Sequence, residues 1–157
     1  MKLEFDPIGI IHSPYKVKAD APHQGHSSEA ISEIEVYDRY AEGLKDIDGF
    51  SHLLITYYFH QSQGYSLVVK TPHDEEPHGV FATRSPNRPN PIAICVVKLV
   101  SREGRFLKVE GVDAVDGTPL LDIKPYFPAI DFVRNATMGW AEDKFRPERE
   151  KAKPDDP

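Results

Sequence analysis

The most unusual stretch of the sequence is a proline-rich segment at residues 84–91, which reads Arg-Ser-Pro-Asn-Arg-Pro-Asn-Pro. Its prolines restrict their own φ angles and drive the residues before them towards extended conformations. Two arginines and two asparagines therefore project from a backbone that has little entropy left to lose on binding. These groups suit a ligand with anionic groups and hydrogen-bonding edges. A rigid connector between strands, with its arginines in solvent, explains the pattern equally well.

Four of the seven histidines have a spacing that suggests metal ligands. His23 and His26 form one pair, and His73 and His78 flank the acidic run Asp74-Glu75-Glu76. Histidine and carboxylate ligands suit zinc or iron. The first pair, however, lies in a loop rich in proline and glycine rather than on a helix that would fix its geometry. We therefore expect no metal cofactor.

Other polar residues near predicted strand ends have two interpretations each. His60, directly before Gln61, is either a ligand contact or a simple strand-end hydrogen-bonding group. Cys95 lies in an apolar run with no base beside it, which favours a packed thiol over a nucleophile. Asp113 lies close to a predicted turn at residues 116–119. Turn formation alone explains why that turn contains Asp116 and Gly117.

Short extended segments separated by turns must position these groups. The pattern predicts strands at residues 3–11, 31–36, 50–60, 67–70, 79–83, 92–102, 105–112 and 120–123. It also predicts a short helix at 37–44 and a polar loop at 71–78. Fourteen prolines and ten glycines argue against a helix bundle. The prediction is a mainly β fold, a barrel or sandwich of short antiparallel strands with few short helices.

The glycines exclude two common nucleotide sites. No two glycines have the G-x-G spacing of the Rossmann fingerprint, and no phosphate-binding G-x-x-x-x-G-K-[ST] motif occurs. A nucleotide cofactor would therefore be held by another arrangement.

The composition fits one ordinary globular domain. The chain has 157 residues and a mass of 17.7 kDa, with 39% hydrophobic and 28% charged residues. Its net charge is 19 − 25 = −6, which argues against generic coating of nucleic acid. Residues 81–110, however, contain six bases against two acids, enough for a local basic face. The single cysteine, an acidic N-terminal segment and the lack of a long apolar run favour a cytoplasmic protein without a membrane span.

Several blocks of sequence occur together in one order: Ile8 to Tyr15, Ala21 to Gln24, Phe50 to Leu53, Phe59 to Gln61, Gly79 to Ser85, Arg88 to Ile92, and Asp116 to Tyr126. In this the chain resembles the TrmO (YaeB, TsaA-like) family. The resemblance implies a single-sheeted β-barrel, unlike the Rossmann methyltransferases. It places the barrel domain at residues 1–140 and a C-terminal tail at 141–157, with the family's C-terminal domain absent.

The resemblance also implies an activity, a cofactor and partners. Members of the family are S-adenosylmethionine-dependent tRNA methyltransferases that methylate N6 of N6-threonylcarbamoyladenosine, next to the anticodon. The expected partners are the anticodon loop of tRNA, the methyl donor and a second copy of the chain, with the cofactor near the dimer interface. A binding module that holds S-adenosylmethionine or RNA without turnover is the alternative. A histidine-dependent metal hydrolase is a third interpretation.

The family's functional residues can be assigned by motif. The implied cofactor contacts are Pro22, His23, Gln24, His60, Gln61, Arg84, Ile94, Asp116, Gly117, Thr118 and Pro119. We predict Asp116 as the catalytic acceptor of the N6 proton, with Asp113 and Asp122 as alternatives. The residues expected to contact tRNA phosphates are Arg88, Arg102, Arg105 and Lys108. Tyr15 or Phe81 is expected to stack on a base.

Overall fold

The computed structural model describes residues 1–21 and 29–145. Its eight strands are β1 Gly9–His12, β2 Ile31–Val36, β3 His52–Tyr58, β4 Val68–Thr71, β5 Asp74–Gly79, β6 Ile92–Glu103, β7 Phe106–Glu110 and β8 Thr118–Pro125. Six of them form a closed antiparallel barrel in the order β1-β2-β7-β6-β3-β8, and β8 pairs with β1 to close it. The strands β4 and β5 form a separate hairpin. The prediction of a barrel of short antiparallel strands is confirmed.

The strands of the barrel alternate between buried apolar residues and more exposed ones. Each strand therefore has one apolar face, and closing the sheet into a barrel buries these faces together. Along β3, for example, Leu53, Ile55 and Tyr57 are buried and their neighbours are more exposed. The other strands contribute further aliphatic side chains, and the core of the barrel includes Ile11, Ile34, Val36, Val97, Leu107, Val109 and Leu120. This interior is packed with side chains, so ligand sites belong to the ends and the outer face.

Short helical turns connect the strands. The 3-10 helices span Lys18–Asp20, Asp38–Leu44, Ile47–Gly49, Val80–Ala82 and Gly139–Ala141, and a single α-helical turn, α1, spans Pro128–Asp131. The turn at Asp38–Leu44 confirms the short helix predicted at 37–44, although it has 3-10 geometry. Among the described residues no helix is long and apolar enough to cross a membrane.

Three predicted elements were wrong or too long. The first strand begins at Gly9 rather than residue 3, and the exposed Leu3 and Phe5 precede it. The polar loop predicted at 71–78 contains β5, which pairs with β4 although its residues are exposed or half-buried. The strand predicted at 79–83 is instead the 3-10 turn Val80–Ala82, which buries only Val80.

Candidate functional site

Antiparallel pairing brings the predicted site residues to one end of the barrel. The C-terminal ends of β1, β3 and β7 meet the N-terminal ends of β2, β6 and β8 there, as the pairs Tyr58–Ile92, Tyr57–Leu120 and Ile31–Glu110 show. We call this end of the barrel the site end. The residues predicted as donor contacts that it brings together are His60, Gln61, Arg84, Ile94, Asp116, Gly117, Thr118 and Pro119. Pro22, His23 and Gln24, predicted in the connection between β1 and β2, lie outside the described residues.

The turn before β8 is fastened to the end of β1 by its backbone. The Asp116 N–H donates to the Tyr15 carbonyl at 2.6 Å, and the Gly117 N–H donates to the Ile11 carbonyl at 2.9 Å. Gly117 has φ 82°, a left-handed conformation that costs glycine little. The hydroxyl of the buried Thr118 donates to the Val115 carbonyl at 2.6 Å. The turn predicted at residues 116–119 is therefore a rigid feature of the site end.

The Asp116 carboxylate supports the same turn. It accepts hydrogen bonds from the Ser13 N–H at 3.0 Å and from the Lys16 ammonium at 2.8 Å, and His12 lies 3.9 Å away. The hydrogen bond from Lys16 lowers the pKa of Asp116 below its ordinary value, and the Ser13 N–H acts in the same direction. Asp116 is thus ionised at neutral pH, and its carboxylate has a structural task as well as the predicted catalytic one.

A polar cluster under the site end includes Tyr57 and Cys95, for which the sequence predicted only packing, together with Asp113. The hydroxyl of the buried Tyr57 donates to the Asp113 carboxylate, and the Cys95 thiol donates to the Gly111 carbonyl at 3.0 Å. Burial raises the pKa of Cys95 to about 12 and also raises that of Tyr57. The prediction that Cys95 is a packed thiol is confirmed. Asp113, kept as an alternative proton acceptor, is half-buried beside this cluster.

The proline-rich loop at 84–91 is braced from within by its second arginine. The Arg88 guanidinium donates to the carbonyls of Thr83 at 3.0 Å and Ser85 at 3.2 Å. The loop is also tied to residues 59–67, because the Ser62 hydroxyl donates to the Pro86 carbonyl at 2.9 Å. One Arg88 nitrogen is therefore already used inside the protein, which weakens its predicted role as a phosphate contact.

Arg84, by contrast, is exposed and makes no salt bridge with any residue in the described part of the chain. It follows the 3-10 turn Val80–Ala82, whose Phe81 side chain is 76% exposed. His60 and Gln61 are also exposed at this end. A cation, an aromatic ring and polar side chains therefore face solvent together where the sequence predicted donor binding.

The predicted phosphate contacts Arg102 and Arg105 lie at the opposite end of the barrel. Arg102 donates to the Leu44 carbonyl at 2.9 Å and to Asp48 at 3.1 Å. Arg105 donates to the Val36 carbonyl at 3.2 Å and pairs with Glu35. Eight residue steps along β6 separate Ile94 from Arg102, about 26 Å in a strand. The structure thus does not bring these two arginines to the donor site.

Two further predicted residues lie on outer faces of the barrel. Lys108 is an exposed residue of β7. Asp122, an alternative proton acceptor, is a residue of β8. It lies opposite the outward-facing Thr56 of β3 and forms an ion pair with Lys124. Neither belongs to the turn or the loops of the site end.

Two of the four histidines considered as metal ligands, His73 and His78, have other partners. His78 bonds to Asp74 at 2.9 Å and stacks on Trp140, and His73 packs against Phe145. Within residues 1–21 and 29–145 no group of three or more histidine, cysteine, aspartate or glutamate side chains is arranged to hold a metal ion. His23 and His26 lie outside that range.

A family comparison decides what this barrel is. The model of the tRNA-methyltransferase O N-terminal domain matches residues 10–132. The chain belongs to this family. The resemblance stated from sequence blocks is therefore confirmed, and it covers most of the barrel, the site end and the proline-rich loop.

Similar proteins fall into two groups. A probable S-adenosyl-L-methionine-binding protein of Archaeoglobus fulgidus is 50% identical over 91% of this chain and 39% of its own length. A second such protein of that organism, described as S-adenosyl-L-methionine-binding, is 47% identical over 81% of this chain and 91% of its own length. The tRNA (adenine(37)-N6)-methyltransferase of Escherichia coli is 38% identical over 88% of this chain and 64% of its length.

Solved structures agree with the family. A crystal structure of TrmO superposes with a TM-score of 0.76 at 37% identity, covering 88% of this chain and 64% of that one. The chain therefore spans less than two thirds of that structure, of the Escherichia coli enzyme and of the first Archaeoglobus protein.

Proposed function

We propose that this chain is an S-adenosylmethionine-dependent tRNA methyltransferase. It acts on N6 of the adenosine just 3′ of the anticodon, with N6-threonylcarbamoyladenosine as its substrate. The observation that carries the proposal is that the described residues predicted to contact the donor all belong to one end of the barrel. Membership of the family and the names of the relatives support it.

The residues of the site end fit the chemistry of the donor. The methionine carboxylate of S-adenosylmethionine needs a cation, and Arg84 is exposed there without a salt bridge among the described residues. Backbone groups can recognise the hydrogen-bonding edges of adenine and ribose. The turn at residues 116–119 is held rigidly enough to offer its backbone groups for this purpose. The exposed Ile94 and Phe81 supply apolar contact next to these polar groups.

The chain's part in the reaction is positioning and proton transfer. When bound, the donor would supply a methyl group on a positively charged sulfur, the sulfur keeping the electrons of the bond that the methyl group leaves. The rigid turn and the braced proline loop would hold donor and acceptor in fixed positions, and alignment of this kind accounts for much of the rate of a two-substrate transfer. The N6 proton leaves to a carboxylate. We assign it to Asp116, with Asp113 as the alternative.

The acceptor base approaches the same end. Exposed aromatic rings stack on unpaired bases of RNA loops, and Phe81 presents such a ring three residues before Arg84, the first residue of the proline-rich loop. Tyr15 lies next to Asp116, to whose N–H its carbonyl is bonded. Either ring would hold the target base beside the proposed acceptor.

The outer face of β6 supports the homodimer that the resemblance implies. Four outward apolar residues lie along it: Ile92, Ile94, Val96 and Val100 are 41–54% exposed, and the exposed Lys98 lies between Val96 and Val100. An exposed apolar stripe of this kind, with a polar residue near one end, is typical of an interaction site. Because Ile94 belongs both to this stripe and to the predicted donor contacts, a second copy seated there would lie next to the donor.

A second candidate function is donor binding without methyl transfer. It is favoured by the identities, since the Archaeoglobus relatives described only as binding proteins are 47–50% identical and the Escherichia coli enzyme is 38% identical. Residues that bind the donor would then be retained, and the proton acceptor would have no task.

Two measurements separate these functions. Calorimetry with S-adenosylmethionine and a chelator should show binding without metal. If no binding is seen at about 1 mM donor, the binding free energy is weaker than about −4 kcal/mol, and this result contradicts both candidate functions. The tRNA is then incubated with or without the protein and its nucleosides are analysed by mass spectrometry. Methylated N6-threonylcarbamoyladenosine should be found only in the sample that contained the protein. Donor binding without any methylated nucleoside supports the second function.

A further inference from the structure

A segment beyond the family domain packs against the β4–β5 hairpin. Residues 138–145 follow the matched range, which ends at 132. In this segment Trp140 stacks on His78 with ring centroids 4.0 Å apart and planes 13° apart, and Phe145 packs on His73 at 4.3 Å. Lys144 lies 3.9 Å from Asp74. The segment thus has three separate contacts with one hairpin.

Trp140 makes one further contact, which reaches the site end. Its indole N–H donates to the Ala82 carbonyl at 2.8 Å. The stack on His78 fixes the plane of the indole, and His78 is itself held by Asp74 at 2.9 Å. The indole is therefore a rigid donor, and the group it holds is the last residue of the 3-10 turn Val80–Ala82.

The anchored carbonyl lies two residues before Arg84. The next carbonyl along the chain, that of Thr83, accepts the Arg88 guanidinium at 3.0 Å, and the Thr83 N–H donates to Val80 at 3.1 Å. The two peptide groups leading to Arg84 are thus each held by a side chain from elsewhere. Arg84 itself makes no salt bridge with the described residues, so this backbone is what fixes the point from which its side chain extends.

We propose that Trp140 is a positioning residue for donor binding, acting through the backbone of Arg84. The proposal rests on the proposed function, in which Arg84 binds the donor carboxylate. It also assigns a role to residues 138–145, which the family domain does not include. A guanidinium on a fixed backbone makes paired hydrogen bonds that a mobile one loses part of the time.

The test compares two aromatic contacts of the same segment. Trp140→Phe keeps a ring on His78 and removes the N–H that holds Ala82. It should weaken S-adenosylmethionine binding about three- to tenfold by calorimetry, the range of one neutral hydrogen bond. Phe145→Ala removes the other stack, on His73, and should leave donor affinity within twofold. Amide hydrogen exchange at residues 82–84 should accelerate in the first variant and not in the second.

A double-mutant cycle separates positioning from general stability. In an Arg84→Ala background, Trp140→Phe should cause no further loss of donor affinity, because both changes act on one contact. Full additivity overturns the proposal, as does an unchanged affinity in Trp140→Phe. If Trp140→Phe does not fold, His78→Ala, which removes the ring beneath the indole, replaces it with the same expectations. Absence of donor binding by the unmodified protein refutes the proposed function, and the positioning role with it.

Discussion

At the scale of single residues, Arg84 and Arg102 carry the same charge in different surroundings. Arg84 is exposed at the site end, and Arg102 is bonded to Leu44, Asp48 and Gly104 at the other end. Hydrogen bonds to charged groups are worth about 1.5–3 kcal/mol. Arg84→Ala should therefore weaken donor binding by about tenfold to a hundredfold in calorimetry.

Arg102→Ala and Arg105→Ala are the matched controls. Both should leave donor affinity almost unchanged, because about 26 Å of strand separates the site end from that hairpin. Both should lower the melting temperature, since each side chain is bonded to backbone carbonyls. If all three variants bind the donor equally well, or if Arg84→Ala lowers only the melting temperature, Arg84 braces the loop and does not bind the donor.

Asp116 carries a prediction about pH. Its pKa is lowered in the folded protein by Lys16 and by the Ser13 N–H, so the ionised form is the one that the fold stabilises. This stability is present above the unfolded-state pKa, ordinarily 3.8, and is lost as pH falls through the lower folded-state value. Asp116→Asn should lower the melting temperature at pH 7. Towards pH 3 the difference in melting temperature between the variant and the unmodified protein should become smaller.

Activity measurements on the two carboxylates then assign the proton acceptor. If Asp116 accepts the N6 proton, Asp116→Asn should abolish methyl transfer. Donor binding should fall by a much smaller factor, since Asp116 is also a predicted donor contact and supports the turn. Asp113→Asn should retain transfer, although it weakens the bond from Tyr57. The reverse pattern, with transfer lost only in Asp113→Asn, rejects Asp116 in favour of the alternative.

At the scale of elements, Gly9 sets how closely β1 approaches β2. A Cβ atom at this position would lie 2.0 Å from the backbone oxygen of Glu35, so the strands would have to separate. Overpacking of this kind costs about 1–3 kcal/mol. Gly9→Ala should lower the free energy of unfolding by about this amount in urea. Gly43→Ala, whose Cβ meets nothing within 4 Å, is the control and should be nearly neutral.

The strands that the sequence predicted well are those with one buried face. β3, β6 and β7 alternate apolar and outward residues, and the predicted segments contain nearly all of each observed strand. β5 has the sequence Asp-Glu-Glu-Pro-His-Gly and buries neither face. Its residues therefore show no alternation of apolar and polar side chains from which a strand could be predicted. The turn at Val80–Ala82 carries apolar residues typical of a strand, but only one of them points inward.

The candidate site shows the same division. Motifs predicted Arg84, His60 and the turn at 116–119 as site residues because their residue types and spacing are local features of the chain. Trp140 and Tyr57 were missed because their roles depend on distant partners: Ala82 is 58 positions from Trp140, and Asp113 is 56 positions from Tyr57. An indole or a phenol in an apolar pattern predicts packing, and only the fold shows which polar atom it meets.

At the scale of the whole molecule, the apolar stripe on β6 predicts the oligomeric state. Its residues Ile92, Ile94, Val96 and Val100 remain 41–54% exposed in the single chain, although the barrel core is already filled. Burial of each such side chain contributes about 1 kcal/mol or more, and a two-fold axis through the stripe would bury all of them twice. Light scattering at tens of micromolar should therefore give the mass of a dimer.

A charge in the middle of the stripe tests where the two copies meet. Val96→Glu should give a monomer with an unchanged fold. Removing a carboxylate from water at an interface costs several kcal/mol even with Lys98 two residues along the same face, whereas on a free surface it costs nothing. Ile130→Glu, at a 74% exposed position on α1, is the matched control and should remain dimeric. If the dimer completes the donor site, Val96→Glu should also weaken S-adenosylmethionine binding, and that loss should shrink as protein concentration rises. A monomeric unmodified protein, or a Val96→Glu variant that still dimerises, shows that the stripe is not the interface.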